Sequence, residues 1–126
     1  MKKIVNTTNA PAPIGPYSQA ILAGNTLYVS GQLAIDPSTG DMRASSIKEE
    51  TTQVMKNLGA ILEAAGMDFG DIVKCSIFLS DMNFFNEVNE VYAGYFTEAG
   101  PARETVQVAR LPRNMNVEVS AIAYKV

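Results

Sequence analysis

Hydrophobic and polar positions alternate along five stretches of the chain and repeat with helical spacing along two others. Residues 17–24 and 26–31 read as two strands around the short turn Gly24-Asn25, with Leu27 and Val29 facing one way and Tyr28 and Ser30 the other. Residues 71–80 alternate again, setting Val73, Cys75, Ile77 and Leu79 against Lys74, Ser76 and Phe78. Residues 103–109 and 115–124 form the last pair: Val106 and Val108 share one parity of the first, and Val117, Val119, Ala121 and Ala123 one parity of the second. Between the strands, residues 46–65 carry apolar or small side chains at 47, 51, 54, 58, 61, 62 and 65. Ser46 and Glu49 are placed for a capping box and Gly66 for the close, so this is the clearest helix. A second helix runs from about Met82 to Thr97, capped by Ser80 or Asp81, with Phe85, Val88, Tyr92, Tyr95 and Phe96 as its apolar stripe.

Proline and glycine punctuate the pattern. Residues 9–16 hold three of the six prolines and cannot be helix or central strand, which predicts a stiff exposed loop up to Tyr17. The segment from Asp36 to Asp41 is a loop or a second small hairpin. The order is then strand, strand, strand, helix, strand, helix, strand, strand. Right-handed crossovers place both helices on one face of a single sheet and leave the other face uncovered.

The polar parity of the last two strands carries the chemistry. Arg103, Thr105 and Gln107 stand on one strand and Asn116, Glu118 and Ser120 on the other, so a guanidinium and a carboxylate are expected on the same side of the sheet. That combination binds an acid and handles a proton. The uncovered face would carry Tyr28, Ser30, Ser76, Phe78, Arg103, Thr105 and Glu118, too aromatic for free solvation and too polar for a core. Burial against further copies of the chain resolves the conflict, so a closed homo-oligomer with pockets at its interfaces is expected.

Composition narrows the class. Residues 1–126 fit one domain, and 47% hydrophobic with 18% charged residues is a globular balance. No apolar run approaches the roughly 20 residues of a membrane span, nor the about 7–15 of a secretion signal after Lys2-Lys3. With one cysteine, a cytoplasmic, membrane-free protein is expected. A net charge of −3 with scattered basic residues argues against nucleic acid. No histidine is present, which removes Ser-His-Asp triads, Cys-His pairs and the usual zinc sites. Proton transfer therefore falls to a carboxylate, a lysine, a tyrosine, the thiol or water. Cys75 shares its parity with three aliphatic residues and is read as a buried small hydrophobe.

Gly15-Pro16-Tyr17, Ser30-Gly31, Val88-Asn89, Pro101-Ala102-Arg103 and Val117-Glu118, in this order over nearly the whole chain, resemble the Rid family of reactive intermediate deaminases. The resemblance implies a single Rid-like domain over residues 1–126. Its fold would be a chorismate-mutase-like α+β architecture, a mixed β-sheet with two helices packed on one face, assembled as a homotrimer with three inter-subunit clefts. It also implies hydrolysis of 2-iminobutanoate and 2-iminopropanoate to 2-keto acids and ammonia, without metal or organic cofactor. By the same resemblance Arg103 grips the substrate carboxylate and Glu118 lies by the attacking water, while Tyr17, Ser30, Gly31, Asn89 and Thr105 line the cleft. Glu104, Thr105, Val119 and Gly100 depart from the family pattern. Glu104 falls on the opposite parity from Arg103 and should point away from the cleft.

Without the resemblance, an arginine and a glutamate on one face are more often an ion pair than a catalytic pair. Two other classes compete with the deaminase. A sensing module would bind small carboxylates in the same cleft without turnover. A ribonuclease or translation inhibitor is disfavoured by the acidic balance and the missing histidine.

Overall fold

Gly24 adopts a left-handed φ of 60°, and the chain reverses there between β2 (Ala20–Ala23) and β3 (Thr26–Gln32). In the computed structural model, which describes residues 2–126, this hairpin is the middle of one half of a six-stranded mixed sheet. The remaining elements are β1 (Lys2–Val5), α1 (Ile47–Ala64), β4 (Ile72–Leu79), α2 (Phe85–Ala93), β5 (Ala102–Gln107) and β6 (Val117–Tyr124). Their order in the sheet is β1-β2-β3-β6-β4-β5, antiparallel throughout except for β4 and β5. The fold is α+β, as expected, with α1 and α2 packed on one face.

The core lies between the helices and the inward parity of the sheet. Leu27, Cys75, Ile77, Leu79, Val117, Val119 and Ala123 are fully buried against Val54, Met55, Leu58, Ile61 and Leu62 of α1. Cys75 is thus the small core residue its parity predicts.

α1 begins where its cap places it. The Ser46 hydroxyl accepts from the Glu49 N–H at 3.0 Å. The Glu49 carboxylate accepts from Ser45 N–H and Oγ rather than closing the box on Ser46. Gly66, at φ 74°, ends the helix in a Schellman turn, with Gly66 N–H donating to Glu63 and Met67 N–H to Leu62.

Three expectations are corrected. The first strand of the sheet is β1, pairing with β2, whereas the 36–41 stretch contributes only the bridge between Ile35 and Met42. Val73 is half exposed because the pairing with β6 slips between Ile72 and Lys74, so the extra residue is expelled and Ile72 takes the inward position. The second helix is shorter at both ends. Met82–Phe84 form a 3₁₀ turn capped by Asp81, and beyond Ala93 the chain bonds i to i−3 at Tyr95 and Phe96, whose rings pack on Phe69.

Two buried polar side chains hold the loops that lead to the candidate site. Gln19 exchanges hydrogen bonds with the Thr7 backbone and donates to Ala10 and Pro11 carbonyls, which pins the proline loop. Glu50 of α1 is fully buried and accepts from Asn116 N–H, Asn116 Nδ2 and Val117 N–H at 2.7, 3.0 and 2.8 Å. It ties α1 to the start of β6, one residue ahead of Glu118.

Candidate functional site

Arg103 lies on β5, an outer strand of the sheet whose register with β4 sets Arg103 beside Cys75 and Thr105 beside Ile77. Neighbours in register share a face, so Arg103, Thr105 and Gln107 project to the helix side. α2 meets them there. Phe85, Asn89 and Tyr92 stand at i, i+4 and i+7, one side of that helix. Arg103 Nη1 donates to Asn89 Oδ1 at 2.8 Å, and its Cζ lies 4.9 Å from the Tyr92 ring centroid and 5.7 Å from that of Phe85. Gln107 reaches the same segment, accepting from the Met82 N–H at 2.8 Å.

No carboxylate among the described residues pairs with Arg103. Glu104, one residue on, points to the other side of the sheet, where it pairs with Lys74 at 2.8 Å and accepts from Ser76. Both partners hold its carboxyl below the ordinary value. Beneath Arg103, burial pushes up both the Cys75 thiol and the Tyr92 phenol. The Tyr92 and Thr105 hydroxyls are buried without a hydrogen-bond partner. This half of the site is cationic, aromatic and fixed by one amide.

Glu118 belongs to the opposite face. It stands across from Phe78 on β4, whereas Val117 and Val119 on either side are buried in the core. Its neighbour across β3 is a bulge: three steps from Val29 to Gln32 oppose two from Ala121 to Val119. Gly31 sits in that bulge, and a Cβ there would overlap the Glu118 carboxylate, so only glycine lets the two approach. Ser30 locks the bulge to the residues just before β2 by donating from its N–H to the Gln19 carbonyl and from its Oγ to the Ser18 carbonyl, at 2.9 and 2.6 Å. Tyr17, half exposed, lines with Gly31 a small cavity of about 50 Å³. Burial pushes the Glu118 carboxyl above its ordinary value.

The expectation that Arg103 and Glu118 share one side of the sheet is therefore wrong. Alternation within β5 is correct, but which parity faces the helices is set by its register with β4, and that register turns Arg103 and Thr105 under α2. Val106, expected inward, is 40% exposed on the open side. The structure thus groups Arg103, Asn89 and Thr105 in one place and Tyr17, Ser30, Gly31 and Glu118 in another. Phe85 and Tyr92, read from sequence as core stripe alone, also flank the guanidinium. The signal for this was their spacing of −4 and +3 from Asn89.

Among the described residues, no three Asp, Glu, Cys or His side chains gather in a group fit for a metal ion. Among the described residues no helix is long and apolar enough to cross a membrane.

The model of the endoribonuclease L-PSP family matches residues 7–125, nearly the whole chain, with Arg103, Glu118 and the Gly31 bulge inside it. YyfA of Yersinia pestis, a Rid family protein of solved structure, superposes with a TM-score of 0.96 at 45% identity, over 99% of this chain and all of its own. The chain belongs to the Rid family. Among Rid relatives, a RutC family protein of Pyrococcus horikoshii is 54% identical over 99% of both chains. The mouse 2-iminobutanoate/2-iminopropanoate deaminase is 51% identical over 98% of this Rid chain and 91% of its own.

Proposed function

We propose that this Rid protein is a deaminase that hydrolyses short 2-imino acids, 2-iminobutanoate and 2-iminopropanoate, to 2-keto acids and ammonia. The observation that carries the reading is Arg103: a guanidinium fixed by Asn89 and two rings, yet left without a carboxylate. Its planar fork suits the two oxygens of a 2-imino carboxylate.

Since Glu118 stands on the opposite face, the complete cleft takes Arg103, Asn89 and Thr105 from one protomer and Tyr17, Ser30, Gly31 and Glu118 from a second copy. A homotrimer closes three such clefts and covers the open face, where Tyr28 and Val106 are exposed. Glu118 then accepts a proton from water as its oxygen adds to the iminium carbon. Glu118 returns that proton to the amine nitrogen of the tetrahedral adduct, then takes the proton of the new hydroxyl as the C–N bond breaks, which leaves the keto-acid C=O and releases ammonia, and that last proton departs with it as ammonium. Backbone groups at Gly31 and Arg103 are the donors and acceptors for the adduct. The chemistry uses positioning and one carboxylate, and needs no covalent intermediate or cofactor.

The test generates each imine in place from its amino acid and traps what survives with semicarbazide. Wild type removes imine faster than the blank, and Arg103→Ala raises KM by about 100-fold, the loss of a charge-assisted bidentate contact. Arg103→Ala and Glu118→Gln, each strongly impaired alone, regain activity when unfolded, mixed and refolded together, because one cleft in the mixed oligomer keeps both residues. No regain refutes the shared cleft. Tight binding of small carboxylates with no imine loss would instead make the protein a sensing module.

A further inference from the structure

Tyr92 is 7% exposed, and its phenol finds no hydrogen-bond partner in the core although tyrosine hydroxyls usually do when buried. Its nearest polar groups are the Cys75 thiol and the Arg103 guanidinium, and it makes a full hydrogen bond to neither. The ring has a contact that an aliphatic side chain cannot make: it lies 4.9 Å below the Arg103 guanidinium carbon, closer than Phe85 at 5.7 Å. Within about 6 Å of a ring face, a guanidinium is attracted by the quadrupole and stacks flat on it.

We infer that Tyr92 is a positioning residue for Arg103, its ring holding the guanidinium plane so that the fork stays presented to the substrate carboxylate. One hydrogen bond, donated by Nη1 to Asn89 Oδ1, fixes the position of Nη1 but leaves rotation about that bond. Two rings remove the rotation. An arginine held this way gives up little side-chain freedom when it binds, so the effect belongs to affinity and not to the chemical step. Tyr92, 7% exposed, acts through Arg103. This inference rests on the deaminase reading, in which Arg103 takes the carboxylate.

The test replaces residue 92 by phenylalanine, by phenylalanines with one, two and three ring fluorines, and by leucine. Shape changes little along the fluorinated series while the ring's negative face fades. KM for 2-iminobutanoate, and Kd for 2-ketobutyrate by calorimetry, are measured beside wild type and Arg103→Ala. Tyr92→Phe stays within about twofold of wild type. KM and Kd then climb stepwise with fluorination, and Tyr92→Leu reaches about tenfold with kcat within about twofold, a change of ~1.4 kcal/mol in binding. A flat fluorinated series, or a Tyr92→Phe protein as impaired as Tyr92→Leu, overturns the inference while wild-type turnover leaves the deaminase reading intact. Absence of both turnover and keto-acid binding in wild type overturns that reading and this inference with it. The fluorinated series keeps the test valid if Tyr92→Leu fails to fold.

Discussion

The surroundings of Arg103 and of Glu118 are built in different ways. Around Arg103 the work is done by side chains: an amide, two rings and a strand register that turns the guanidinium under α2. Around Glu118 it is done by the backbone: a bulge, a missing Cβ at Gly31 and hydrogen bonds from Ser30 to the Ser18 and Gln19 carbonyls. The first half is assembled within one protomer, with its charge and the Thr105 and Tyr92 hydroxyls left without a partner. The second lies on a sheet face that no helix covers and exposes a carboxyl whose ionisation burial opposes. An unpaired guanidinium and a carboxyl raised by burial thus stand on opposite faces of one sheet.

Breaking the backbone-built half at its carboxylate has the largest expected effect. Glu118→Gln lowers kcat by about 10²–10⁴, the span of a single general base. In wild type, kcat/KM falls as pH drops through the raised Glu118 value, because only the ionised form takes a proton; the variant loses this limb of the profile. An unchanged rate would remove Glu118 from the mechanism.

The anchor behind that half comes next. Glu50→Ala leaves the Asn116 and Val117 N–H groups without their acceptor and opens a space in the core, costing about 3–5 kcal/mol in urea unfolding. A loss below about 1 kcal/mol would mean that other groups hold the entry to β6.

Gly31→Ala sharpens the comparison, since it touches only the backbone-built half. The added methyl displaces the Glu118 carboxylate at a strain of about 1–3 kcal/mol, so kcat drops while Arg103-dependent binding of 2-ketobutyrate is kept. Equal loss of both would show that the bulge also shapes the carboxylate subsite.

The smallest effect is on stability. A raised folded value means that the protomer loses stability as pH rises from the ordinary carboxyl range through that value. Glu118→Gln therefore melts slightly higher than wild type at neutral pH and equally below the ordinary carboxyl range. A lower melting temperature at neutral pH would contradict the direction of the shift.

Much of the fold was legible because its signals are local. Ser46, Gly66 and the apolar spacing between them determine α1, and the alternation of β6 puts Val117 and Val119 inside and Glu118 outside without reference to any other strand. Asn89 could be paired with its flanking rings by counting helical steps. The face of β5 could not be read in this way. Its inward and outward residues are equally mixed, Arg103 and Thr105 against Glu104 and Val106, so alternation has no sign until a neighbour supplies one. The Val73 bulge was illegible for a related reason: a slip of one residue in pairing leaves no mark on a strand that is apolar at both Ile72 and Val73.

By itself the sequence determined five of the six strands and both helices, the cap-set bounds of α1, the inward parity of β3 and β6, and the residue types able to bind an acid and move a proton. These follow from spacing and backbone preference within a few residues. Only the tertiary structure decided that Arg103 and Glu118 occupy opposite faces, that Gly31 must be glycine because a carboxylate fills its Cβ position, and that Tyr92 lies under a guanidinium. Those depend on register and close approach between segments far apart in the chain, where a shift of one residue exchanges every inward side chain for an outward one.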